Sequence, residues 1–529
     1  MKISIHTLFI ATLLIPSLAP AQEIPATSLH LAALQGDLET VRQHIAAGTG
    51  LDEKDAYGST PLIIAATFGK PAVAAALLEA GADTAVSNNE GATPLHIAAF
   101  FGRPAIVASL LEHGAERHRR NNDGASAFDM AAAPFEDDRW LYEQLGTALA
   151  PLGLTLDLEA IRAARTRIAG MLRADPAALD AVDYTPQAGE DWPLSTPAEQ
   201  GLDPAQVAEL YLDAAALEKL LGLLVIRHDK LVAEDYFNGW SMAQKARLQS
   251  VTKSFTSALV GIALAEGQLS GVEQKMLDFF PALADQVTDP RKREITLQQL
   301  LQMRAGYPWE ESDPGLFEIL YAGFRPAYLV EFPLSHDPGT TFQYSNLSSH
   351  LLGIIVARAT GEDLRAYAGP RLFAPLEIEP GQWIQDWEGY YNGHADLHLS
   401  AREAARFGLL YLREGEYQGQ RILPAGWVRA SLKNYSDAVD SGGIEASRVG
   451  RYFREVGYGY QWWSARVGAH RFNLAWGHGG QFIILLDELE MLIVVISDPL
   501  FGEHNDAAWG HEQANLNLVG KYIQSLPAP

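Results

Sequence analysis

The stretch LQSVTKSFTSALVGIALAEG, residues 248–267, places a serine and a lysine three residues apart in an otherwise apolar helical segment. Residues i and i+3 share a helix face, so Ser250 and Lys253 can point into one pocket. Val251, Phe255 and Leu259 offer an ammonium little solvation, and desolvation favours the neutral amine. A neutral amine beside a hydroxyl is a general base beside a nucleophile. A serine at the start of a helix also has backbone N–H groups nearby for a developing oxyanion. The same four letters allow a plainer reading, in which Ser250 caps the helix and Lys253 extends its amine to water.

Two further stretches bear on the choice. HDPGTTFQYSN carries Tyr344-Ser345-Asn346 after a Pro-Gly turn, and AWGHGGQF carries His478-Gly479-Gly480 at the start of a strand-like run. S-x-x-K, then Y-x-N, then H-G-G, in that order and widely spaced, resembles the serine β-lactamase-related hydrolases: class C β-lactamases, D,D-carboxypeptidases, D-aminopeptidases, family VIII-type esterases and 6-aminohexanoate-dimer hydrolases. The segments SVTKSFTSALVGIALAEGQL, PGTTFQYSN, GYYNGHADLHLSAREAARFGLLYL and YGYQWW read like the same family, from about Leu194 onward.

The resemblance implies a role for each matching position. Ser250 would attack a carbonyl carbon and form an acyl-enzyme. Lys253 and a phenolate-like Tyr344, its pKa lowered by Lys253, would share the proton transfers. Asn346 would hold Lys253 and the substrate amide. His478 would open the strand edge along which substrate lies, with Gly479 and Gly480 letting substrate approach the backbone. The backbone N–H groups of Ser250 and Gln481 would form the oxyanion hole. Two departures qualify this. The second motif is Y-S-N and not S-D-N, which points to the class C and esterase branch. In the third motif His478 stands where K-T-G has lysine, and glycine where it has a hydroxyl residue. Histidine is mostly neutral near pH 7, so no permanent cation awaits a substrate carboxylate. Ester or amide hydrolysis is favoured over true β-lactamase activity.

Rival centres are thin. The chain has no G-x-S-x-G elbow, no H-E-x-x-H and no phosphate loop ending in GK-[ST]. His394 with Asp396, and His504 with Asp506, read as solvated loop pairs, so no metal or other cofactor is expected. Trp462-Trp463 and Tyr390-Tyr391 read as core or pocket wall.

The elements that must carry these residues are legible in outline. LGLLVIRHDKLVAEDYF is a hairpin turning at His228-Asp229-Lys230, and GYGYQWWSA, GGQFIILLD and EMLIVVISDP are strand-like, with a turn at Asp487-Glu488. Helices are expected over Thr252–Glu266, Leu297–Met303, Ser348–Thr360 and Ala401–Leu412. Strands at both ends with helices between predict one antiparallel sheet in an α+β domain over residues 194–529, a β-lactamase/transpeptidase-like layout.

Ahead of it the sequence repeats. Thr27, Thr60, Thr93 and Ser126 recur every 33 residues, heading TSLHLAALQGD, TPLIIAATFGK, TPLHIAAFFGR and SAFDMAA. Gly58, Gly91 and Gly124 precede them in register, and Gly48, Gly81 and Gly114 close the second helices. This resembles the ankyrin repeat. Pro at the first helical position and a capping Thr before it fit helix starts, paired alanines fit close helix contact, and Leu77-Leu78 and Leu110-Leu111 supply the buried face. His30 and His96 are then structural. An all-α solenoid is expected over 27–145 and a helical linker over 146–193, ending in DYTPQAGEDWP.

Residues 1–21 have the layout of a cleaved secretory leader: Lys2, an apolar Leu8–Leu18 and Ala19-Pro20-Ala21. A secreted, periplasmic protein without stable membrane insertion is expected. The 529 residues contain no cysteine, which excludes disulfides, Cys-ligated zinc, iron–sulfur clusters and thiol nucleophiles. The net charge of -25 argues against nucleic acid as a partner. Two functions follow from the whole. One is an exported serine hydrolase cleaving an ester, amide, D-peptide or β-lactam-like substrate, a small molecule or peptide, with the ankyrin repeats either binding a protein partner or serving as a stabilising or spacing module. The other is an ankyrin-based binding or sensory protein whose hydrolase-like domain is inactive.

Overall fold

A computed structural model describes residues 25–173, 176–189, 191–312, 315–316, 325–437, 449–499 and 506–528. The leader expected over residues 1–21 and His504 lie outside them. Contacts divide the chain into two compact units. One runs through Asn121 and resumes over Met130–Leu172; the other comprises Asn122–Asp129 and Arg173 onward.

The first unit is built of paired helices: α1 (Leu29–Gln35) with α2 (Leu38–Ala46), α3 (Pro61–Thr67) with α4 (Pro71–Glu79), and α5 (Pro94–Phe100) with α6 (Pro104–Glu112). Their starts follow from capping. Thr60 Oγ1 accepts from Ile63 N at 3.3 Å, and Pro61 needs no partner for a missing N–H. His96 Nδ1 accepts from Thr93 N at 3.2 Å and lies 2.8 Å from Thr93 Oγ1, so this histidine closes a cap. His30 Nε2 sits 2.9 Å from the carbonyl oxygen of Glu53. Ala65, Ala66, Leu77, Ala98, Ala99 and Leu110 are fully buried between the pairs. Helix α7 (Ala127–Ala132) spans the boundary between Asp129 and Met130, and α8 (Phe135–Leu149) and α9 (Leu158–Leu172) belong to the first unit.

The expected linker is therefore partly a packed element. α9 contacts α5, α6 and α8 within the first unit. Its Arg165, 2% exposed, donates to the carbonyl oxygens of Ala131 and Ala133 and pairs with Asp138 at 2.9 Å. The Ala/Arg-rich composition hid an apolar stripe, Ile161, Ile168 and Leu172, that covers the open side of the third repeat.

The second unit is centred on an eight-stranded antiparallel sheet: β1 (Leu220–Arg227), β2 (Lys230–Tyr236), β3 (Ser436–Asp437), β4 (Arg454–Tyr458), β5 (Trp463–Val467), β6 (His470–Gly477), β7 (Gln481–Leu486) and β8 (Met491–Ser497), in the order β2-β1-β8-β7-β6-β5-β4-β3. The β1–β2 turn holds His228 and Asp229 both at positive φ, a two-residue hairpin turn. Residues alternate between two cores. Leu224, Ile226, Ile483, Leu492 and Val494 face α11 (Thr252–Ala265), α12 (Asn346–Thr360) and α13 (Ala401–Leu412). Leu223, Val225, Ile484, Ile493 and Val495 face α10 (Pro204–Ala215) and α14 (Asp506–Ser525). Burial on both sides explains why these strands read as continuous apolar runs. β6 and α14 were not expected from the sequence. No helix among the described residues is long and apolar enough to cross a membrane.

Candidate active site

Ser250 lies in a single 3₁₀ turn, Gln249–Val251, that leads directly into α11. Gln249, just before it, has φ 49°, left-handed backbone that a non-glycine residue adopts at a cost of about 1 kcal/mol or more. Two contacts hold the turn there. Leu248 N donates to Leu397 O at 2.9 Å, and β6 and β7 pack against Gln249–Val251. The 3₁₀ turn directs the serine hydroxyl at the lysine one turn on.

Lys253 is 1% exposed. Its Nζ lies 2.8 Å from Ser250 Oγ, 2.8 Å from Asn346 Oδ1 and 2.9 Å from the carbonyl oxygen of His394. It does not reach out to water. Burial pushes its pKa down from 10.5 to about 7, against the upward pull of Glu311, Glu310 and Asp396. The identity of the three partners has a chemical consequence. Asn346 Oδ1 and the His394 carbonyl only accept, so a neutral amine gives them its two N–H groups and turns its lone pair to the serine hydroxyl.

Tyr344 completes the group. It is buried, within hydrogen-bonding reach of Ser250, with its ring face 4.9 Å from Lys253 Nζ and stacked on Trp463 at 5.5 Å. The expected lowering of its pKa is not what the structure produces. Burial pushes the phenol well above its ordinary value, the Ser250 hydrogen bond opposes this, and the carboxylates of Glu311, Glu310 and Glu512 add to it. Tyr344 is therefore a neutral phenol, and the lysine is the better base of the two.

The loop 392–397 is stitched onto α11: Thr256 Oγ1 donates to Gly393 O at 2.8 Å and Leu397 N donates to Thr252 Oγ1 at 3.2 Å. His394 and Asp396, read from sequence as a solvated pair, are both buried. Asp396 takes Arg247 and Asn392 Nδ2, and His394 serves through its main chain. Burial, with Lys253 next, keeps the His394 ring well below its usual pKa. Among the described residues no group of three or more His, Cys, Asp or Glu is placed to hold a metal ion. Trp462 is core, whereas Tyr390 and Tyr391 are half-buried against it.

At the third motif the structure changes two expectations. Gly479 and Gly480 have φ 78° and 85°. A Cβ on Gly479 would fall 2.5 Å from Pro499 Cα, and one on Gly480 would fall 2.3 Å from Asn515 Nδ2. These glycines are required by backbone conformation and by packing against the protein itself. His478, in turn, has an acidic neighbour. Its Nδ1 is 3.4 Å from Glu512 on α14; burial lowers the ring's pKa, Glu512 and, less, Glu311 raise it, and the net direction is up. Gln481 opens β7 opposite Gly477, whose position packs against Leu248 and Gln249, so its main chain borders the Ser250 turn. Its side chain is spent on the main chain of Ser497. Ser250, Lys253, Tyr344 and Asn346 thus form one contact network, and Gln481, which follows His478-Gly479-Gly480, borders the Ser250 turn.

Three acidic residues escaped the sequence reading. Glu310, fully buried, accepts from Ser345 Oγ at 3.0 Å and from Asn346 N and Leu347 N, both at 2.9 Å. Burial, opposed by those donors, holds its carboxyl up at about 7. Glu311 accepts from Asn346 Nδ2 at 3.0 Å. Glu512, 2% exposed, accepts from Trp476 Nε1 at 2.9 Å and Gly479 N at 2.8 Å. A signal existed for the last: Glu512 shares a helix stripe with Leu516, Val519 and Ile523, and an acid on an apolar stripe asks for a partner.

Known proteins match both parts of the sequence. Residues 214–515 match the family described as beta-lactamase, and residues 29–121 match ankyrin repeats in three copies. A 6-aminohexanoate-dimer hydrolase of Paenarthrobacter ureafaciens is 30% identical over 334 residues, 58% of this chain and 82% of that protein. A beta-lactamase of Escherichia coli is 27% identical over 225 residues, 37% of this chain and 53% of its own length. A solved penicillin-binding protein homologue from Pyrococcus abyssi is 17% identical, covering 60% of this chain and 74% of that one, with a TM-score of 0.44. The extent of the first match, more than half the sequence, decides the assignment: the chain belongs to the beta-lactamase family of hydrolases and carries ankyrin repeats ahead of that domain.

Proposed function

We propose that the second unit is a serine hydrolase that cleaves an ester or amide through an acyl-enzyme on Ser250. The observation that carries this reading is a fully buried amine held 2.8 Å from a hydroxyl, where burial pushes its pKa down to about 7. Neutral Lys253 takes the Ser250 proton as Oγ bonds to the substrate carbonyl carbon. The oxyanion is received by the main-chain N–H groups of Ser250 and Gln481, worth on the order of 3 kcal/mol each. When the tetrahedral intermediate collapses, the carbonyl carbon loses its alcohol or amine, which leaves with a proton relayed from Lys253 through the Tyr344 hydroxyl. Water then attacks the ester; its proton goes to Lys253 and returns to Ser250 Oγ as the acid departs.

Glu512, 3.4 Å from His478, raises the ring's pKa above the ordinary histidine value, which favours the charged ring where an anionic substrate group would meet the position that holds lysine in K-T-G. The substrate class is proposed as a small amide or ester with a free carboxylate, in keeping with the 30% identical 6-aminohexanoate-dimer hydrolase. Export through a leader over residues 1–21 and protein binding by the repeats belong to the same proposal; a mature N terminus at Gln22 would support the first. The test is intact-mass spectrometry with a fluorophosphonate probe. One adduct is expected on the native protein and none on Ser250→Ala; absence from both refutes the hydrolase. Rates with the 6-aminohexanoate dimer, p-nitrophenyl esters, nitrocefin and D-Ala-D-Ala peptides then rank the substrates.

A further inference from the structure

We propose that Glu310 and Glu311 are positioning residues for the acylation step: together they fix where Asn346 sits and which end of its amide faces Lys253. The proposal rests on the serine-hydrolase reading above and adds the means by which the base is oriented.

Glu310 acts on the main chain. The start of α12 already has its own cap, Ser345 Oγ accepting from Ser348 N at 3.2 Å. A carboxylate from a distant segment then takes the Ser345 hydroxyl and the first two helical N–H groups, those of Asn346 and Leu347. These amides are at the positive end of the helix and have no partner within it. Holding them from outside fixes the helix start in position and rotation, and with it the Cα of Asn346.

Glu311 acts on the side chain. An asparagine amide presents oxygen on one side and NH₂ on the other, and only the oxygen can accept from Lys253. A carboxylate only accepts, so Glu311 binds Nδ2 at 3.0 Å and leaves Oδ1 for Lys253 at 2.8 Å. The reversed amide would set oxygen against carboxylate and N–H against amine. With Oδ1 and the His394 carbonyl both fixed as acceptors, the lysine lone pair has one direction left, toward Ser250. The charged and titratable groups around Lys253 are Glu310, Glu311 and Asp396, which favour its protonated form, with Tyr344 and His394 closing the shell.

The experiment measures single-turnover acylation by a p-nitrophenyl ester across the neutral pH range in the full chain, for the native protein, Glu310→Gln, Glu311→Gln, Asn346→Ala and both double variants with Asn346→Ala. Glu310→Gln is expected to slow acylation on the order of 10²-fold, as an ångström-scale misplacement does, and Glu311→Gln by less. Each double variant is expected to be no slower than the slower of its two parents, because both acids act through Asn346. The acid limb of the rate profile is expected at lower pH in Glu311→Gln, which loses a charge that raises the lysine's pKa; the Glu310 carboxyl, itself held up at about 7, carries little charge on that limb. A merely structural role would lower melting temperature and leave that limb in place. Native rates, multiplicative losses in the cycles or an unmoved acid limb in Glu311→Gln overturn the proposal. If Glu310→Gln does not fold, the half-buried Glu311 and its cycle decide the matter. Failure of native Ser250 to be labelled at all is a different result and strikes the hydrolase reading instead.

Discussion

At the scale of single residues, the chemistry reduces to what burial does to one amine. Lys253 titrates near 7 in the folded protein and near 10.5 when exposed. Activity should therefore rise with pH through about 7, as the base form appears. Stability should follow the same proton. Between the two values the unfolded chain holds a proton that the folded chain lacks, so stability contributed by this site increases as pH rises across that window. Chemical denaturation of the native protein and Lys253→Met at several pH values checks this: the native protein should gain relative to the variant from neutral to alkaline pH, and a constant difference would contradict it. Lys253→Met should also abolish acylation while folding. His478 offers a second titration. Its partner Glu512 is expected to be the cause of the raised pKa, so Glu512→Gln should move the ring's NMR titration to lower pH; an unmoved curve would assign the shift elsewhere.

At the scale of elements, the site is assembled from four pieces: the turn before α11, the first turn of α12, the loop 392–397 and the β6–β7 connection. The last is the most constrained. Gly480→Ala would add strain at φ 85° and a collision with Asn515, and a loss of several degrees in melting temperature is expected by calorimetry, with acylation slowed because Gln481 follows directly. How far the sequence disclosed these pieces depends on whether the signal was local. Helix α13 matches the expected Ala401–Leu412, because Ser400 and Glu403 form a capping box and the segment is strongly amphipathic. The His228-Asp229 turn was visible between two apolar runs. β6 was missed because Arg471 and Asn473 interrupt its apolar residues, and α14 because Gly510 and several polar residues dilute its stripe. Glu310 could not be found by any local rule. Its partners lie thirty-five to thirty-seven residues away, and nothing in YPWEES announces them.

At the scale of the whole molecule, the chain forms two compact units, one containing the ankyrin repeats and the other the beta-lactamase-family domain. The 33-residue period made the repeats legible, since every copy restates the same cap, alanine pair and leucine. Helix α9 breaks that period and still packs on the third repeat, so no periodic signal marks it. Leu77 is fully buried in the first unit, and Leu77→Ala should cost that unit about 2–5 kcal/mol. Measured below the unfolding transition, kcat/KM for a p-nitrophenyl ester should be unchanged, since every residue assigned to the chemistry lies in the second unit; a large fall would show that the repeats take part.

The ladder between β1 and β8 joins Leu220 to Ser497, and Glu512 on α14 clasps the third motif from farther along still. Synthesis delivers Ser250, Lys253 and Tyr344 long before it delivers the strand that closes the sheet or the acid that steadies His478. A nascent chain that stalls in between holds Ser250 and Lys253 without the rest of the site. Completion of the proposed site is thus a late event in the life of each polypeptide, arriving only after the repeats have had time to fold.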